Sequence, residues 1–362
     1  MSDMNELRGR IDRIDRAMQE LFEERMEVSR QVGEYKRERG LPIYDAERER
    51  EVLKNRIGRV SDSRLAPYVE SFFIDLMNLS KDAQKEKLCP KITENGAMAY
   101  QGVEGAYGHE AAAAVCGGRL VSCKSFADVF RSVVTGKTQF GIVPVENSYA
   151  GSVGENYDLF GKYDVKIVRE VILPIRHVLL GIRGAALGDV RRVYSHPQGL
   201  AQCDEYLRAH PKMEAVACAN TAMGAKLVAE KGETSNAAIA GRHAAAVYDL
   251  DVLDVDVSSS LSSNTRFFVI SNGAEKKGSK ATAMFVVNDH PGALVDVLDR
   301  IREAKVNLTR IESRPMRSRN WEYMFFVDME GDQERIESIA EAVRKATVVY
   351  RLLGIYDTSA VG

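Results

Sequence analysis

The chain has 362 residues, of which 45% are hydrophobic and 28% charged, a balance that is ordinary for two or three folded domains and excludes wholesale disorder. Its 50 Lys and Arg against 52 Asp and Glu give a net charge of −2, so no overall field draws the chain to nucleic acid or a membrane. With no apolar run of about 18 residues and no apolar secretion signal near the start, we expect a soluble, cytoplasmic protein.

The first segment, residues 1–90, is predicted to be all helical. It holds only four of the 28 glycines, and its apolar residues recur at steps of three, four or seven, which places them on one helix face. Gly40 to Pro42 end the first helix, a second runs from Asp45 to Gly58, and a third covers about 67–87. The apolar stripe of the first helix comprises Leu7, Ile11, Ile14, Leu21, Val28 and Val32.

Polar residues interrupt the apolar faces of all three helices. With Leu21 at 0°, Arg25 projects at about 40° and Lys36 at about 60°, which places two cations on the stripe. Because buried cations are costly unless anions pair with them, this pattern favours a ligand that carries carboxylates. The polar set is Arg25, Lys36, Glu49, Ser80 and Gln84.

Two other interpretations bear on this segment. Arg25 and Lys36 can instead snorkel from the edge of the stripe with their charges in water. Arg8 projects about 100° from Arg25 and cannot share its pocket, but it can reach the pocket of a second chain. A helix this long also needs a partner to cover its stripe, so we expect a homodimer or higher homo-oligomer.

The second segment, residues 97–272, alternates short apolar runs with helices. This order predicts α/β layers with a largely parallel sheet, and the length suits two lobes with a cleft. Polar clusters at 101–109, 143–152, 194–203 and 262–268 follow predicted strands, where ligands bind in open sheets.

Each of these clusters also has a purely structural interpretation. Gly102 and Gly105 can serve a tight turn, and Ser195 with His196 can cap a helix. Because Ser195 and His196 have no evident acid partner, we reject a hydrolase triad. The five cysteines form no CxxC pair, so we expect neither a disulfide framework nor a metal site.

The last segment, residues 280–358, follows a Gly- and Lys-rich linker. Its predicted order of elements is βαββαβ, the ferredoxin-like split motif. The sequence from Asp289 to Leu294 precedes the first helix, whose free N–H groups favour an anion such as an amino-acid carboxylate. A simple capped turn explains the same residues.

The first segment resembles the all-helical chorismate mutases. The resemblance is carried by Leu7-Arg8, Glu24-Arg25, Val32-Gly33 with Lys36, Asp45 with Arg48-Glu49, and Ser80 with Gln84. It implies an intertwined dimer in which Arg8 and Arg25 hold the carboxylates of chorismate and Lys36 and Gln84 donate to its ether oxygen. Glu49 and the Asp45 region then hold the ring hydroxyl, Ser80 is a weaker carboxylate contact, and the role of Arg48 stays open.

The second segment resembles the prephenate dehydratases, which have the two-lobed fold of periplasmic solute-binding proteins. Asn264 to Phe267 and Val143 to Asn147 carry the resemblance. It implies Thr265 as the donor to the departing hydroxyl, with Glu146, Asn147 and Gln202 in the same pocket. Arg266 anchors substrate only if the strand ends or bends there, because alternation otherwise turns it away.

The second segment also departs from the family's GPxGSYS pattern. Val103-Glu104 replaces the Pro-x pair, and Ala106 and Gly108 replace the two serines, while Tyr107 is retained. Any role for a hydroxyl at the two serine positions is therefore in question.

The last segment resembles the phenylalanine-binding ACT domains. Gly292, Ala293 and Leu294, with Glu312, Ser313, Arg314 and Pro315, carry the resemblance and are the expected effector contacts. It implies feedback inhibition from a dimer interface, although Arg314 can equally form an interface salt bridge.

Taken together, the resemblances imply three domains: an all-α helical mutase domain (1–90), a two-lobed α/β dehydratase domain (97–272) and an α+β ACT domain (280–358). The expected ligands are chorismate, prephenate and phenylalanine, with no cofactor, metal, nucleic acid or membrane. A phenylalanine or prephenate sensor built on the two-lobed fold is the alternative, and a chain with a degenerate mutase is a narrower variant.

Overall fold

A computed structural model describes residues 4–39, 46–86, 91–255, 257–258, 263–273, 277–316 and 323–360. The chain divides into two compact units whose boundary lies near residue 90. Within the described ranges, no helix is both long and apolar enough to cross a membrane.

The first unit contains three helices, as predicted. Apolar residues at helical spacing produce the long α1, and α3 packs along it. The residues predicted as the break, Gly40 to Pro42, lie outside the described ranges. The helices are α1 (Met4–Glu38), α2 (Ala46–Ile57) and α3 (Ala66–Glu86), with a short 3-10 turn at Ser63–Leu65.

The face of α1 that packs within this unit is not the predicted apolar stripe. Met26, Ser29 and Gly33 are its buried residues, whereas the predicted stripe is exposed, with Leu21 65% and Ile14 58% accessible. A period of 3.6 identifies an apolar face but not which partner covers it. The face that contacts α3 is rotated by about 100° from the stripe.

The two-lobed domain is built on two mixed sheets. One has seven strands in the order β16-β5-β11-β3-β1-β2, with β4 paired to β3, and the other has the order β10-β6-β9-β7-β8. The strands are β1 (Ala97–Gln101), β2 (Arg119–Cys123), β3 (Phe140–Asn147), β4 (Gly151–Ser152), β5 (Lys166–Ile175), β6 (His177–Ile182), β7 (Arg192–Ser195), β8 (Glu214–Ala217), β9 (Asn236–Gly241), β10 (Leu250–Asp254), β11 (Ser263–Ser271) and, beyond the C-terminal domain, β16 (Thr358–Ala360).

Short helices connect these strands. They are α4 (Tyr107–Val115), α5 (Phe126–Val134), α6 (Gly154–Lys162), α7 (Pro197–Gln202), α8 (Asp204–Ala209), α9 (Thr221–Lys231) and α10 (Arg242–Tyr248). The prediction of strands alternating with helices is confirmed, but that of a largely parallel sheet is wrong. Parallel pairs β1-β2, β1-β3, β7-β8 and β7-β9 are balanced by antiparallel pairs of β11 with β3 and β5, and of β6 with β9 and β10.

The return of β11 explains the error. The chain leaves the first lobe after β5, builds the second lobe, and comes back as β11 between β3 and β5. Sequence order gives no sign of this long-range antiparallel insertion. It places the N-terminal end of β11, with Thr265, beside the C-terminal end of β3, with Asn147.

The C-terminal domain has the predicted βαββαβ order. Its elements are β12 (Lys280–Val286), α11 (Ala293–Glu303), β13 (Asn307–Pro315), β14 (Tyr323–Glu330), α12 (Gln333–Lys345) and β15 (Val349–Tyr356). The antiparallel sheet has the order β13-β14-β12-β15, which confirms the ferredoxin-like fold.

The two faces of this C-terminal sheet pack against different partners. Phe285, Val327 and Ile355 form a core with α11 and α12. Met284 and Phe326, which point to the opposite face, join the core of the first lobe. The first lobe and the C-terminal domain therefore share apolar packing.

Candidate active sites

A cavity of about 260 Å³ lies between the two lobes. Its wall combines a few apolar side chains with amides, hydroxyls and two imidazoles, the mixture typical of a small-molecule site. It is lined by Gln101, Gly102, Ala106, Tyr107, Gly108, Phe126, Ile142, Pro144, Asn147, Val153, Ile175, His177, His196, Gln198, Gly199, Gln202, Asn220, Thr221, Thr265 and Phe267.

Thr265 and Asn147 are cross-strand partners in this wall. The Asn147 amide nitrogen donates to Thr265 Oγ1 at 2.9 Å, while the Asn147 amide oxygen accepts from the backbone N–H groups of Tyr149 at 3.0 Å and Ala150 at 2.9 Å. The turn thus fixes the orientation of the amide. Since Asn147 is the donor in this bond, Thr265 keeps its own proton for another acceptor.

His177 links two further polar side chains of the cavity. Its Nε2 lies 2.8 Å from the Gln202 amide oxygen and its Nδ1 lies 2.9 Å from the Tyr107 hydroxyl. Because a carbonyl oxygen only accepts, Nε2 carries the proton and Nδ1 accepts from Tyr107. Burial lowers the pKa of His177 and raises that of Tyr107 well above its usual value, so both groups are neutral at pH 7.

Positive potential in the cavity comes from helix ends. The first residues of α4 and α9, Tyr107 and Thr221, both line it, and Asn220 caps α9 through Met223 N–H at 2.8 Å. Neither Lys nor Arg is among the described lining residues. Unpaired N–H groups at helix starts attract anions, so an anionic ligand fits without an ion pair.

Glu146 and Arg266 were expected beside this cavity, but neither lies in it. Each is the chain neighbour of a cavity residue, and strand alternation turns both to the opposite face of the sheet. Arg266 pairs there with Glu146 at 2.8 Å, Glu170 at 2.7 Å and Asp328 at 2.8 Å. The structure thus places Thr265, Asn147 and Gln202 together and excludes the other two.

Two motifs have structural roles, although Gly102 and His196 also line the cavity. Gly105 has φ +79° and lies against Tyr248 and Ala244, where a Cβ would meet atoms at 3.1 Å, so the glycine loop is a tight turn. His196 Nδ1 accepts from Gln198 N–H at 3.2 Å and caps α7. Ser195 donates to the Ile239 carbonyl at 2.6 Å, so its hydroxyl proton is used in a hydrogen bond to the neighbouring strand.

Sequence reasoning missed His177 as a site residue. It opens β6, a strand that was not predicted, in the run from Leu173 to Ile182. The one available signal was a charged dipeptide, Arg176-His177, between two apolar runs, which marks the crossing between lobes.

A second candidate site lies in the helical unit around Arg25. Its guanidinium donates to the Leu76 carbonyl at 3.1 Å and to Ser80 Oγ, so α1 and α3 position it jointly. Burial, and then the charge of Arg56, lower the pKa of Arg25. A half-buried cation near a second cation favours an anionic ligand. Arg56 was missed by sequence reasoning, because its spacing is that of an exposed residue in the last turn of α2.

The structure brings only part of the predicted helical site together. Ser80 is buried and donates to Leu76 O at 2.7 Å, Lys36 and Glu49 are half-buried, and Arg8 is exposed in a single chain. Asp45 and the side chain of Gln84 lie outside the described residues.

The predicted effector residues divide between two faces of the C-terminal domain. Gly292, with φ +90°, precedes Ala293 and Leu294 at the start of α11. Along β13 the side chains alternate, with Ser313 and Pro315 exposed and Glu312 and Arg314 half-buried. Glu312 accepts from Ser152 at 2.8 Å and Arg314 pairs with Asp158 at 3.1 Å. These two hold the domain against the first lobe, which supports the salt-bridge interpretation of Arg314.

Family models match the three parts of the chain. "Chorismate mutase type II" matches residues 7–85, "Prephenate dehydratase" matches 98–275 and "ACT domain" matches 281–347. Two similar curated proteins carry the name bifunctional chorismate mutase/prephenate dehydratase. That of Aquifex aeolicus is 32% identical over 98% of both chains, and that of Pseudomonas aeruginosa is 34% identical over 98% of this chain and 99% of its own.

Two solved structures each resemble nearly three quarters of the chain. The prephenate dehydratase of Arthrobacter aurescens in complex with L-Phe is 30% identical, with a TM-score of 0.66 over 72% of this chain and 90% of that one. GqqA, described as a novel type of quorum quenching acylase, is also 30% identical, with a TM-score of 0.67 over 73% of this chain and 98% of its own.

Proposed function

The chain belongs to the family of bifunctional chorismate mutase/prephenate dehydratases, and on this premise we propose how its residues perform the two reactions and their regulation. It rearranges chorismate to prephenate, then decarboxylates and dehydrates prephenate to phenylpyruvate, and phenylalanine inhibits it by feedback. The assignments of individual residues below are our proposals.

Thr265 is the donor that assists dehydration. As prephenate loses carbon dioxide, the electron pair of the broken C–C bond enters the ring and the ring C–O bond breaks. The departing hydroxide needs a hydrogen bond, and it becomes water once it receives a proton. The Thr265 hydroxyl, held by Asn147 at 2.9 Å, is oriented to donate to it. This contact is the observation that carries the assignment.

Helix ends and neutral amides hold the substrate. Prephenate carries two carboxylates, and the starts of α4 and α9 offer N–H groups to the one that the reaction retains. A neutral wall suits the reaction, because a fixed cation would stabilise the carboxylate that has to leave as carbon dioxide. The replacements Ala106 and Gly108 line the cavity without hydroxyls, so we assign substrate contact there to backbone rather than side chains.

His177 orients Gln202. Since the Gln202 amide oxygen accepts from His177, the amide nitrogen is turned toward other acceptors and is placed to bind a substrate oxygen. We assign His177, Tyr107 and Asn147 to positioning, because the Asn147 amide is bonded to Ser263 at 3.1 Å as well as to Thr265, and we assign Gln202 to substrate contact.

Arg25 binds a chorismate carboxylate in the helical unit. Its partners Ser80 and Leu76 fix the guanidinium in place before the ligand arrives, the preorganisation that a rearrangement without covalent chemistry requires. By resemblance to the mutases, Lys36 and Gln84 donate to the ether oxygen, Glu49 and Asp45 hold the ring hydroxyl, and Ser80 is a weaker contact.

Two chains complete the mutase sites. The stripe of α1 is exposed over several turns, and Arg8 is exposed on the same helix. An apolar surface of this length needs a cover, and the resemblance supplies one in the α1 helix of a second copy. We assign Arg8 to the partner's site.

Phenylalanine binds beside the start of α11. Gly292 and Leu294 offer N–H groups of an α-helix start to its carboxylate, while the N–H of Ala293 between them donates to the His290 carbonyl at 3.2 Å. Ser313 with Pro315 forms the exposed face of the neighbouring β13. Glu312 and Arg314 contact the first lobe from the other face of β13. We therefore assign them to regulation and not to direct contact with phenylalanine.

The alternative of a pure sensor has no comparable observation behind it. A pure sensor has no need for a donor such as Thr265 aimed into the cavity.

Ultraviolet monitoring tests the proposed function most simply. We expect purified protein to consume chorismate and to form phenylpyruvate from prephenate, with phenylalanine slowing the second reaction. Binding of prephenate without turnover would favour the sensor, and turnover of prephenate but never chorismate would leave the helical unit with dimerisation alone.

A further inference from the structure

Two adjacent rungs of the β3–β11 ladder face opposite sides of the sheet. Thr265 pairs with Asn147 and points into the cavity, while the next rung, Arg266 with Glu146, points toward the C-terminal domain. Thr265, the proposed donor to substrate, is therefore adjacent in the chain to Arg266, whose side chain binds on the opposite face of the sheet.

The C-terminal domain contacts the Arg266–Glu146 pair through a cross-strand pair of its own sheet. Arg310 on β13 and Asp328 on β14 are cross-strand partners. Asp328 pairs with Arg266 at 2.8 Å and Arg310 pairs with Glu146 at 3.3 Å. We call these four residues, Glu146, Arg266, Arg310 and Asp328, the charge square, because opposite charges alternate around it.

Three of the four members of the charge square are largely removed from solvent. The exposed side-chain fractions are 18% for Arg266, 12% for Arg310 and 4% for Asp328, against 31% for Glu146. Glu170, fully buried, adds a further bond to Arg266 at 2.7 Å and accepts from Lys280 at 2.8 Å. Removing one partner of such a buried set leaves an uncompensated charge, so separating its members is costly.

Both ladders are irregular where the square attaches. In β3 the pairing shifts between the Arg266 and Phe267 positions, which leaves Val145 as an extra residue, and in β13 it shifts between Leu308 and Arg310. A bulge interrupts the ladder bonds that would otherwise fix the strand end. Beyond the bulge, β11 is held on its other edge by β5 and the end of β3 by β4, and the charge square adds a third attachment from the C-terminal domain to the rung next to Thr265 and Asn147.

We propose that the charge square couples the C-terminal domain to dehydration, with Arg266 as a positioning residue that sets the Thr265–Asn147 rung through its bond to Asp328. This inference rests on the proposed function. An effector that shifts β13 would displace Arg310, then Glu146, and finally the neighbouring rung that binds substrate.

The variant Asp328→Asn tests the coupling, assayed in the full chain for prephenate dehydration, chorismate consumption and inhibition by phenylalanine. We expect the dehydratase kcat to fall about tenfold, with KM changed less than about twofold. Inhibition by phenylalanine should weaken by a similar factor. Chorismate consumption should not change. Arg351→Gln is the matched control, since Arg351 also bonds the first lobe, through Tyr163 O at 2.9 Å, without touching the square.

A double-mutant cycle keeps the test decisive if Asp328→Asn does not fold. Glu146→Gln and Arg310→Gln should each lower the dehydratase kcat, and together should cost no more than the worse of the two. Additive losses, an unchanged kcat, or a lowered kcat with intact phenylalanine inhibition would overturn the proposal. A wild-type protein that does not dehydrate prephenate would instead refute the proposed function.

Discussion

The helical unit and the two-lobed domain place their site residues by different physical means. The dehydratase cavity is enclosed by one chain, and its donors are fixed by bonds such as Asn147 to Thr265 and Tyr107 to His177. In the helical unit, Arg25 is positioned, but the apolar stripe of the same helix is exposed and Arg8 is distant from Arg25 in projection. The donors of the cavity are thus fixed by bonds within one chain, whereas we propose that the helical site takes a residue from a second copy.

The sharpest way to separate the two regions is Thr265→Ala. Loss of the hydroxyl removes the hydrogen bond to the leaving oxygen, and we expect the dehydratase kcat to fall by about 10²–10³-fold. Chorismate consumption should be unchanged. Thr265→Ser retains the hydroxyl and should recover most of the activity. Joint loss of both activities in a folded Thr265→Ala protein would count against separate sites.

The converse variant is Arg25→Ala. Removal of a preorganised guanidinium from a carboxylate should lower mutase kcat/KM by about 10²-fold, while prephenate dehydration is unaffected. Arg16→Ala, an exposed arginine on the opposite side of the same helix, serves as the control and should retain mutase activity. Equal losses in the two variants would mean that the Arg25 contacts with α3 have no role in binding.

Disruption of the exposed stripe should affect the two regions unequally. Ile14→Asp introduces a charge into the surface that we assign to the second copy, so we expect mutase activity to fall about tenfold and to depend on protein concentration. The dehydratase rate measured at the same concentrations should change little. Arg16→Asp is the control for the added charge. Sedimentation that shows the same mass for wild type and Ile14→Asp would contradict the assignment.

Acidification should have a smaller effect, again confined to one region. Burial lowers the pKa of His109, His177 and His243, so below the unfolded value of about 6.5 the unfolded chain binds more protons than the folded one. Stability from these residues is complete above that pH and is lost as the pH falls through it.

No histidine precedes His109 in the sequence, so this loss should spare the helical unit. Between pH 7.5 and 5.5 we expect the melting transition of the two-lobed domain to fall by about 3–5 °C. Dehydration should decline more steeply than chorismate consumption over the same range. Parallel declines would show that buried histidines do not determine the acid sensitivity.

The sequence predicted local order better than long-range placement. Helix spacing gave α1, α2 and α3, and alternation correctly turned Arg266 away from Thr265, because both depend on neighbouring residues. The insertion of β11 between β3 and β5 depends on residues about 120 positions apart, and no local pattern records it.

The same limit explains the errors at the sites. Thr265, Asn147 and Gln202 were correctly brought together because the resemblance supplied their association. Glu146 was assigned to the wrong face of the sheet. It precedes Asn147 by one residue in β3, and adjacent residues of a strand point to opposite faces. His177 was missed because its role comes from two partners, Tyr107 and Gln202, that are distant in sequence.

Complementation between two inactive variants tests most directly that the mutase site needs two chains. Arg8→Ala and Arg25→Ala, unfolded together and refolded in equal amounts, form mixed dimers in half of the cases, each with one intact site and one that lacks both arginines. We predict that mutase activity returns to about a quarter of the wild-type value, with dehydration equal in all samples. Activity no higher than that of either variant alone would contradict the account.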